Sequence, residues 1–509
     1  MANTFVVSRS HLIYGVCLPL AVLIGYLLAE PLDSGSMAVI TLVLCVLSVP
    51  LVMRWHHPLL VFSCNSWIAF FFLPGHPPLW IILAFVSLIL SMVNRSLGQR
   101  QNFFQARSVA YSLLFLGLVA LATAMLNGGV GLRFLGGASY GGKKYVYFFA
   151  AIMLYFAIAT QPIPRNRAYL FVGLFFLSSL IPIISYLGAW LGPSFYFLAE
   201  LFPMQVAVDN VETATATGRD FLAPGIARLG ELEQVAKGVL CYLFACYGVR
   251  GLLDLRRPWR ATLFMLAMVA SLYSGFRSSL VLFPLLFAVM FYLEGLYRTR
   301  YCLVLVVGLV LAAAVLLPNV NKLPLSMQRA LSFLPVNVDA LAREDAGGST
   351  DWRLQMWKQL LPEVPRYLIK GKGYSIDPNE LYMVNEAVSR GTASTYDAAM
   401  VAGDYHSGPF SVIIPFGLGG AIAFLWFLAA SFYTFYCNFR YGDPYLCHIN
   451  ALLLAFFVVQ TFLFFFVFGA LHSDLLVFAG LAGLSVSLNG GVAKRPIAEV
   501  ESMPEEEVE

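Results

Sequence analysis

The sequence predicts an all-α polytopic membrane protein, with 12–14 transmembrane helices and one large, mostly helical outer loop. Three observations predict this class. First, 59% of the 509 residues are hydrophobic and 12% are charged, against about 25% charged in soluble domains. A chain this long and this apolar cannot hide its surface in a soluble core. Second, apolar runs near the length of about 20 residues that a bilayer-crossing helix needs recur along the chain. Third, the short connecting loops divide by charge: with the N-terminus inside, inner loops carry sixteen Lys and Arg and outer ones four.

Candidate spans fall near 11–29, 36–53, 59–73, 78–94, 108–126, 145–161, 168–191, 236–253, 260–275, 278–297, 301–318, 409–436, 446–469 and 472–488. The first follows Arg9 without a small-residue cleavage site, so it reads as a spanning helix rather than a removed signal. The third and fourth flank Pro74-Gly75-His76-Pro77-Pro78, and a re-entrant hairpin is the other reading there. Six units result: N-terminal transmembrane helices (1–191), a first outer loop (192–235), transmembrane helices with a turn at Arg277 (236–318), a large outer lid loop (319–408), C-terminal transmembrane helices (409–488) and an acidic inner tail (489–509). In the first outer loop, Val206–Val208 and Glu212–Thr217 read as extended chain. The tail has no apolar period and reads as solvated.

The lid holds most of the polar content. Trp352 to Leu361 has helical spacing, ended by Pro362 and Pro365. Gly371-Lys372-Gly373-Tyr374 breaks the chain again, and 379–388 reads as partly helical. Nine basic and ten acidic residues nearly cancel, which fits a folded lid rather than a polybasic clamp. The net charge of +4 lies on the inner side, which argues against nucleic acid as a partner. Eight cysteines avoid both long loops and show no CxxC pair, so they read as apolar filler. Walker and dinucleotide motifs are absent, and no metal-ligand spacing appears, so no cofactor is expected and any energy comes with the substrate or a gradient.

Three residues stand out chemically. Arg277, in Ser274-Gly275-Phe276-Arg277-Ser278-Ser279, lies between two apolar runs at the outer interface. An ionisable group there is costly, and a guanidinium forks onto phosphate. An arginine snorkelling to headgroups is the plainer reading, and the Ser/Gly cluster favours an anion site. Arg353 stands one helical turn before Trp357, so both can face one cleft; an ordinary arginine on an amphipathic surface helix is the other reading. His406 is the lid's one histidine, placed where the chain returns to the membrane. A neutral imidazole there can take a proton from an acceptor hydroxyl, with Asp404 near enough to orient it. His472 and Asp474 form a second outward pair, which reads as a polar turn or as part of the same cleft.

These residues resemble the O-antigen ligase and polymerase superfamily of bacterial envelope enzymes. The resemblance rests on the Ser274–Ser279 turn and on Asp351-Trp352-Arg353 with Trp357, Pro365 and Gly371-x-Gly373. It rests also on His406-Ser407-Gly408-Pro409 followed by Phe416-Gly417-Leu418-Gly419-Gly420. Arg228-Leu229-Gly230, with Gln234 and Ala236, is a weaker match to an arginine motif before an earlier helix. The likeness covers roughly 225–440; Ser407 stands where the family usually has Asn, and Pro365 is displaced from its usual place before Gly-x-Gly.

The resemblance implies an inverting, metal-independent glycosyltransferase of the inner membrane with its site facing the periplasm. Its donor is an undecaprenyl-diphosphate-linked glycan and its acceptor a glycan or the lipid A core. Arg277 and Arg353 then hold the diphosphate, and His406 activates the acceptor. Expected substrate contacts are Arg228, Trp357, Gly371, Lys372, Gly373, Tyr374, Asp404 and His472. Ligase, polysaccharide polymerase and protein O-glycosyltransferase share this machinery. A lipid-linked oligosaccharide transporter is the other class considered. It predicts charges near the helix midpoints and inverted repeats, whereas the helix interiors here are almost free of charge.

Overall fold

The computed structural model describes residues 18–495, apart from 24, 27–33, 71–72, 74, 98–101, 132–139, 192–194, 196–197, 199–201, 203–228 and 255. The described residues are mostly helical, with two isolated β-bridges and no named strand. The helices are α1 (Ser34–Ser63), α2 (Leu79–Ser96), α3 (Arg107–Asn127), α4 (Gly142–Ala159), α5 (Ala168–Leu177), α6 (Ile183–Leu191), α7 (Gly230–Leu252), α8 (Pro258–Tyr273), α9 (Arg277–Leu293) and α10 (Arg300–Leu316). The lid follows as α11 (Leu325–Leu331), α12 (Ala340–Leu360), α13 (Val364–Tyr367), α14 (Pro378–Ser389) and α15 (Thr395–Ala402). Then come α16 (Gly408–Tyr441), α17 (Cys447–Phe466) and α18 (Leu471–Asn489).

Among the described residues nine helices are long and apolar enough to cross a membrane, with α9 a shorter apolar helix beside them. The all-α polytopic class is as expected. Five expected spans are not among the nine: the first, near 11–29, lies largely outside the described residues, the second lies within α1, which is not one of the nine, and the other three are as follows. At 16 and 17 residues, α8 and α9 are shorter than a full span. The expected third span, 59–73, does not form: α1 runs unbroken from 34 to 63, and 64–70 is not helical. Arg54-Trp55-His56-His57 reads as a loop by hydropathy, yet both histidines are buried inside the helix. The Nδ1 of His56 lies 2.7 Å from Ser87 Oγ and its Nε2 3.0 Å from Gln161 Nε2; His57 Nε2 lies 3.2 Å from the Ile158 carbonyl. Buried polar groups with partners remove the reason to turn out. The expected strands at 206–217 lie outside the described residues.

The apolar core runs along α4, α18, α16, α17 and α7, with Phe424, Phe464 and Phe478 packed ring against ring. At the end away from the lid, three asparagines interlock α16, α17 and α18. The Asn438 amide donates to Ser485 Oγ at 3.0 Å, and Asn450 donates to the Asn438 carbonyl and to Asn489 Oδ1, both at 3.0 Å. Asn489 returns a bond to Asn450 Oδ1 at 2.9 Å. Interhelical bonds of this kind contribute about 0.6–2 kcal/mol in membranes. The Asn450→Ala variant is therefore expected to unfold at lower temperature in detergent while retaining its specific activity, which a thermal-unfolding assay beside a transfer assay checks.

The lid is anchored at two places. Val320, Leu331 and Val338 pack against Leu272 and Leu280 at the ends of α8 and α9. Met356, Leu360, Tyr405 and Ile414 form a second cluster with Trp352 and Trp357 around it. The expected helix at 352–361 is the last half of the longer α12, which starts where the Asp339 carboxylate accepts from the Leu341 amide. The expected 379–388 helix is α14, and α15 beside it begins with a Ser394/Asp397 capping box.

Candidate active site

The Arg277 turn is built by the chain around it. α8 ends at Tyr273, the Leu229 amide donates to the Ser274 carbonyl at 3.0 Å, and Arg277 opens α9. From there Arg277 Nη1 donates to Thr350 Oγ1 of α12 at 3.1 Å. Arg353 follows three residues later on the same helix, so both guanidinium groups serve one stretch of α12 less than a turn apart.

Arg353 points into the turn between α17 and α18. Its Nη1 reaches the Val467 carbonyl at 3.5 Å, and its guanidinium carbon lies 5.8 Å from the Phe468 ring centroid. His406 meets the same ring at 5.2 Å and packs edge-on to Trp352 at 5.1 Å. Phe468 thus joins Arg353 to His406. His406 also holds a backbone φ of +47°, a left-handed value uncommon outside glycine and asparagine. Trp357 helps to fix it: its indole N–H donates to the Tyr405 carbonyl at 3.0 Å. Expected as a substrate contact, Trp357 is seen here positioning the peptide before His406.

The electrostatics suit a base. Burial pushes the His406 imidazole down to about 4; Asp404 pulls it up, and Arg353 and Lys144 push it further down. The ring is neutral at pH 7. Asp404 makes no hydrogen bond to His406. Its Oδ1 takes the Lys144 ammonium at 2.6 Å, and Lys144 also donates to the carbonyls of Ala402 at 2.7 Å and Gly403 at 3.2 Å. Burial raises the Asp404 carboxyl, but Lys144, His472 and His406 together hold it below the ordinary range. Asp404 is an anion tied to the start of α4, facing His406 rather than bonded to it.

Tyr374 is buried against Tyr145, Phe416 and His472, at ring separations of 5.0, 5.2 and 6.0 Å. Its amide donates to the Tyr145 hydroxyl at 3.1 Å, while its own hydroxyl has no hydrogen-bond partner. Burial, with Tyr145, Tyr405 and Asp404 nearby, keeps that hydroxyl protonated. His472, on the first turn of α18, faces this group and Asp404; Asp474 instead accepts from the Ala470 amide at 2.8 Å. Gly371 and Gly373 both have φ of +70° and lie against the break in α16. The Lys372 and Gly373 amides donate to the carbonyls of Ile414 at 2.7 Å and Pro415 at 2.9 Å. A Cβ on Gly371 would stand 2.2 Å from the Pro415 carbonyl oxygen. Arg228 lies outside the described residues.

Three contributors escaped the motifs. Lys144 anchors Asp404, and Phe468 walls the cleft. Arg329, buried on α11, donates to the Gly275 carbonyl at 2.7 Å, to the Asp345 carboxylate and to Ser349 Oγ at 3.3 Å, tying the Arg277 turn to α12. Their partners are distant in sequence and follow no local spacing. Among the described residues no group of three His, Cys, Asp or Glu side chains stands together as a metal ion would need.

Residues 261–425 match the family model described as O-antigen ligase, the superfamily that the sequence motifs resemble. The matched segment is about a third of the chain and contains Arg277, Arg353 and His406. It supports an O-antigen ligase-like enzyme in general. No curated protein and no solved structure matches the chain.

Proposed function

We propose that this protein moves a glycan from an undecaprenyl-diphosphate carrier to an acceptor hydroxyl, with inversion and without a metal ion. The observation that carries the reading is the convergence on α12. Arg277 is bonded to Thr350, less than a turn from Arg353, and Phe468 touches both Arg353 and His406. The acceptor oxygen attacks the anomeric carbon opposite the diphosphate, its proton passes to the neutral His406 imidazole, and the carbon–oxygen bond breaks toward the diphosphate. Charge builds on that leaving group, where two preorganised guanidinium groups stabilise it. The metal's usual part in diphosphate departure falls to the arginines. Asp404, Tyr374 and His472 line the acceptor side, and Gly371-Lys372-Gly373 holds the lid against α16.

The Arg277→Ala and Arg353→Ala variants are each expected to lose about 10²–10³-fold in kcat, the cost of removing one charge-stabilising donor. Wild-type transfer in both, with normal expression, sinks the assignment. Activity lost on adding EDTA to purified protein refutes the metal-free mechanism.

The lid faces the periplasm of the bacterial inner membrane in this reading, supported by the excess of Lys and Arg in the opposite loops. A cysteine introduced at exposed Thr392 should then react from the periplasm; labelling from the cytoplasm alone reverses the topology. The acceptor is a glycan or the lipid A core. Surface glycans of a deletion strain separate the two: loss of all capping identifies a ligase, single-repeat products a polymerase.

A further inference from the structure

The segment 361–370 carries features that glycan transfer does not use. It holds Arg366 and Lys370 against one acid, Glu363. Arg366 and Lys370 are exposed, and neither forms an ion pair among the described residues. Between them Ile369 is 90% exposed, more than any other large apolar side chain among the described residues.

Two helices give the level of this segment relative to the bilayer. The Asn127 side chain at the end of α3 donates to the Gly371 carbonyl at 3.4 Å. Asn127 stands 20 residues after Arg107, about 30 Å along the helix, which is the thickness of the hydrocarbon core. In α16, Gly417 breaks the helix with φ of +61°, and its Leu418 amide donates to the Leu368 carbonyl at 2.7 Å. From Gly417 to Arg440 the helix again runs about 35 Å. Both helices therefore bring 368–373 to the boundary between acyl chains and headgroups on the lid side.

Non-helical backbone at that depth needs its polar groups satisfied by protein. Here the break in α16 and the Gly371-x-Gly373 segment satisfy each other. On the two helices that hold this segment, Met125 and Leu126 next to Asn127, and Leu418 and Ile422 next to Gly417, are all exposed apolar side chains. An apolar tip flanked by arginine and lysine is the pattern of an interfacial anchor.

We propose that 366–372 seats in the lid-side leaflet, with Ile369 among the acyl chains and Arg366 and Lys370 on the phosphates of anionic phospholipids. The lid is then fixed to the bilayer surface as well as to α16. Neither the donor nor the transfer chemistry enters this inference, so it stands or falls separately from the proposed reaction.

A benzophenone amino acid in place of Ile369 tests it in full-length protein, reconstituted in vesicles of phosphatidylcholine and phosphatidylglycerol. After illumination, mass spectrometry is expected to find lipid adducts enriched in phosphatidylglycerol several-fold over the vesicle composition. The enrichment should vanish in the Arg366→Gln/Lys370→Gln background. The same probe in place of exposed Tyr382, on α14, gives the value for a solvated lid position. Adducts at 369 no more frequent than at 382, or adducts that mirror the vesicle composition, overturn the proposal. Because Ile369 makes almost no packing contact, the probe leaves folding intact, and a thermal-unfolding curve verifies this.

Discussion

The His406→Ala variant is expected to transfer glycan about 10²–10⁴-fold more slowly than the parent, the range a positioned general base contributes. Folding should survive, because the ring's aromatic neighbours, Trp352 and Phe468, both lie outside the main apolar core. His406→Asn provides the control. Asparagine tolerates the positive φ that His406 holds, so it keeps the backbone but cannot act as the base. Equal loss in both variants assigns the effect to the imidazole; activity near the parent's in the Asn variant removes it from the mechanism.

The pH profile is a second test of the same residue. The base must be neutral, and burial holds its pKa at about 4. Activity is therefore present above that value and lost as pH falls through it. In kcat/KM, which reports the free enzyme, the acid limb is expected near 4 rather than at the ordinary histidine value of about 6.5. Arg353 is one of the charges that push His406 down, so Arg353→Gln should move the limb to higher pH. A limb near 6.5 in the parent would mean that the ring is solvated and the cleft as described is wrong.

How much of this was legible in the sequence depends on the kind of information each feature needs. Composition and apolar run length are local, so the polytopic all-α class could be read directly. The helical turn from Arg353 to Trp357 and the stop at Pro362 were also local. Paths through the membrane were less readable. Hydropathy divides the chain at Arg54, yet α1 continues through it because Ser87, Gln161 and Ile158, all distant in sequence, hold the two histidines inside.

The site shows the same division. Arg277 and His406 were visible because each sits beside an apolar run, and Arg353 because it stands one turn before Trp357. Lys144 and Asp404 were not visible as a pair, being 260 residues apart. Gly371-x-Gly373 was legible as a break but not as a partner for one. Its role appears only beside Gly417, where a Cβ would stand 2.5 Å from the Leu368 carbonyl oxygen. Two positive-φ breaks on separate elements supply each other's hydrogen bonds, and spacing within either one cannot reveal this.

Arg329 carries the second large expected effect, and it rests on burial rather than on any motif. Its side chain is 4% exposed and its three bonds join the Gly275 carbonyl, Asp345 and Ser349. The Arg329→Met variant keeps the volume and removes the charge. Breaking a buried pair from one side costs about 3–5 kcal/mol; Asp345 is 28% exposed, which favours the lower end. Because Gly275 precedes Arg277 by two residues, the turn keeps only the Arg277–Thr350 bond to α12, and kcat should fall along with stability. Arg329→Lys is not expected to rescue either, since one ammonium cannot replace a fork aimed at three acceptors. The double variant Arg329→Met/Asp345→Leu separates the two effects. Removing the carboxylate as well should recover part of the thermal stability, while the Gly275 carbonyl still lacks its donor and transfer stays low. Recovery of transfer together with stability would show that Arg329 serves the lid alone and that the Arg277 turn holds its shape without it.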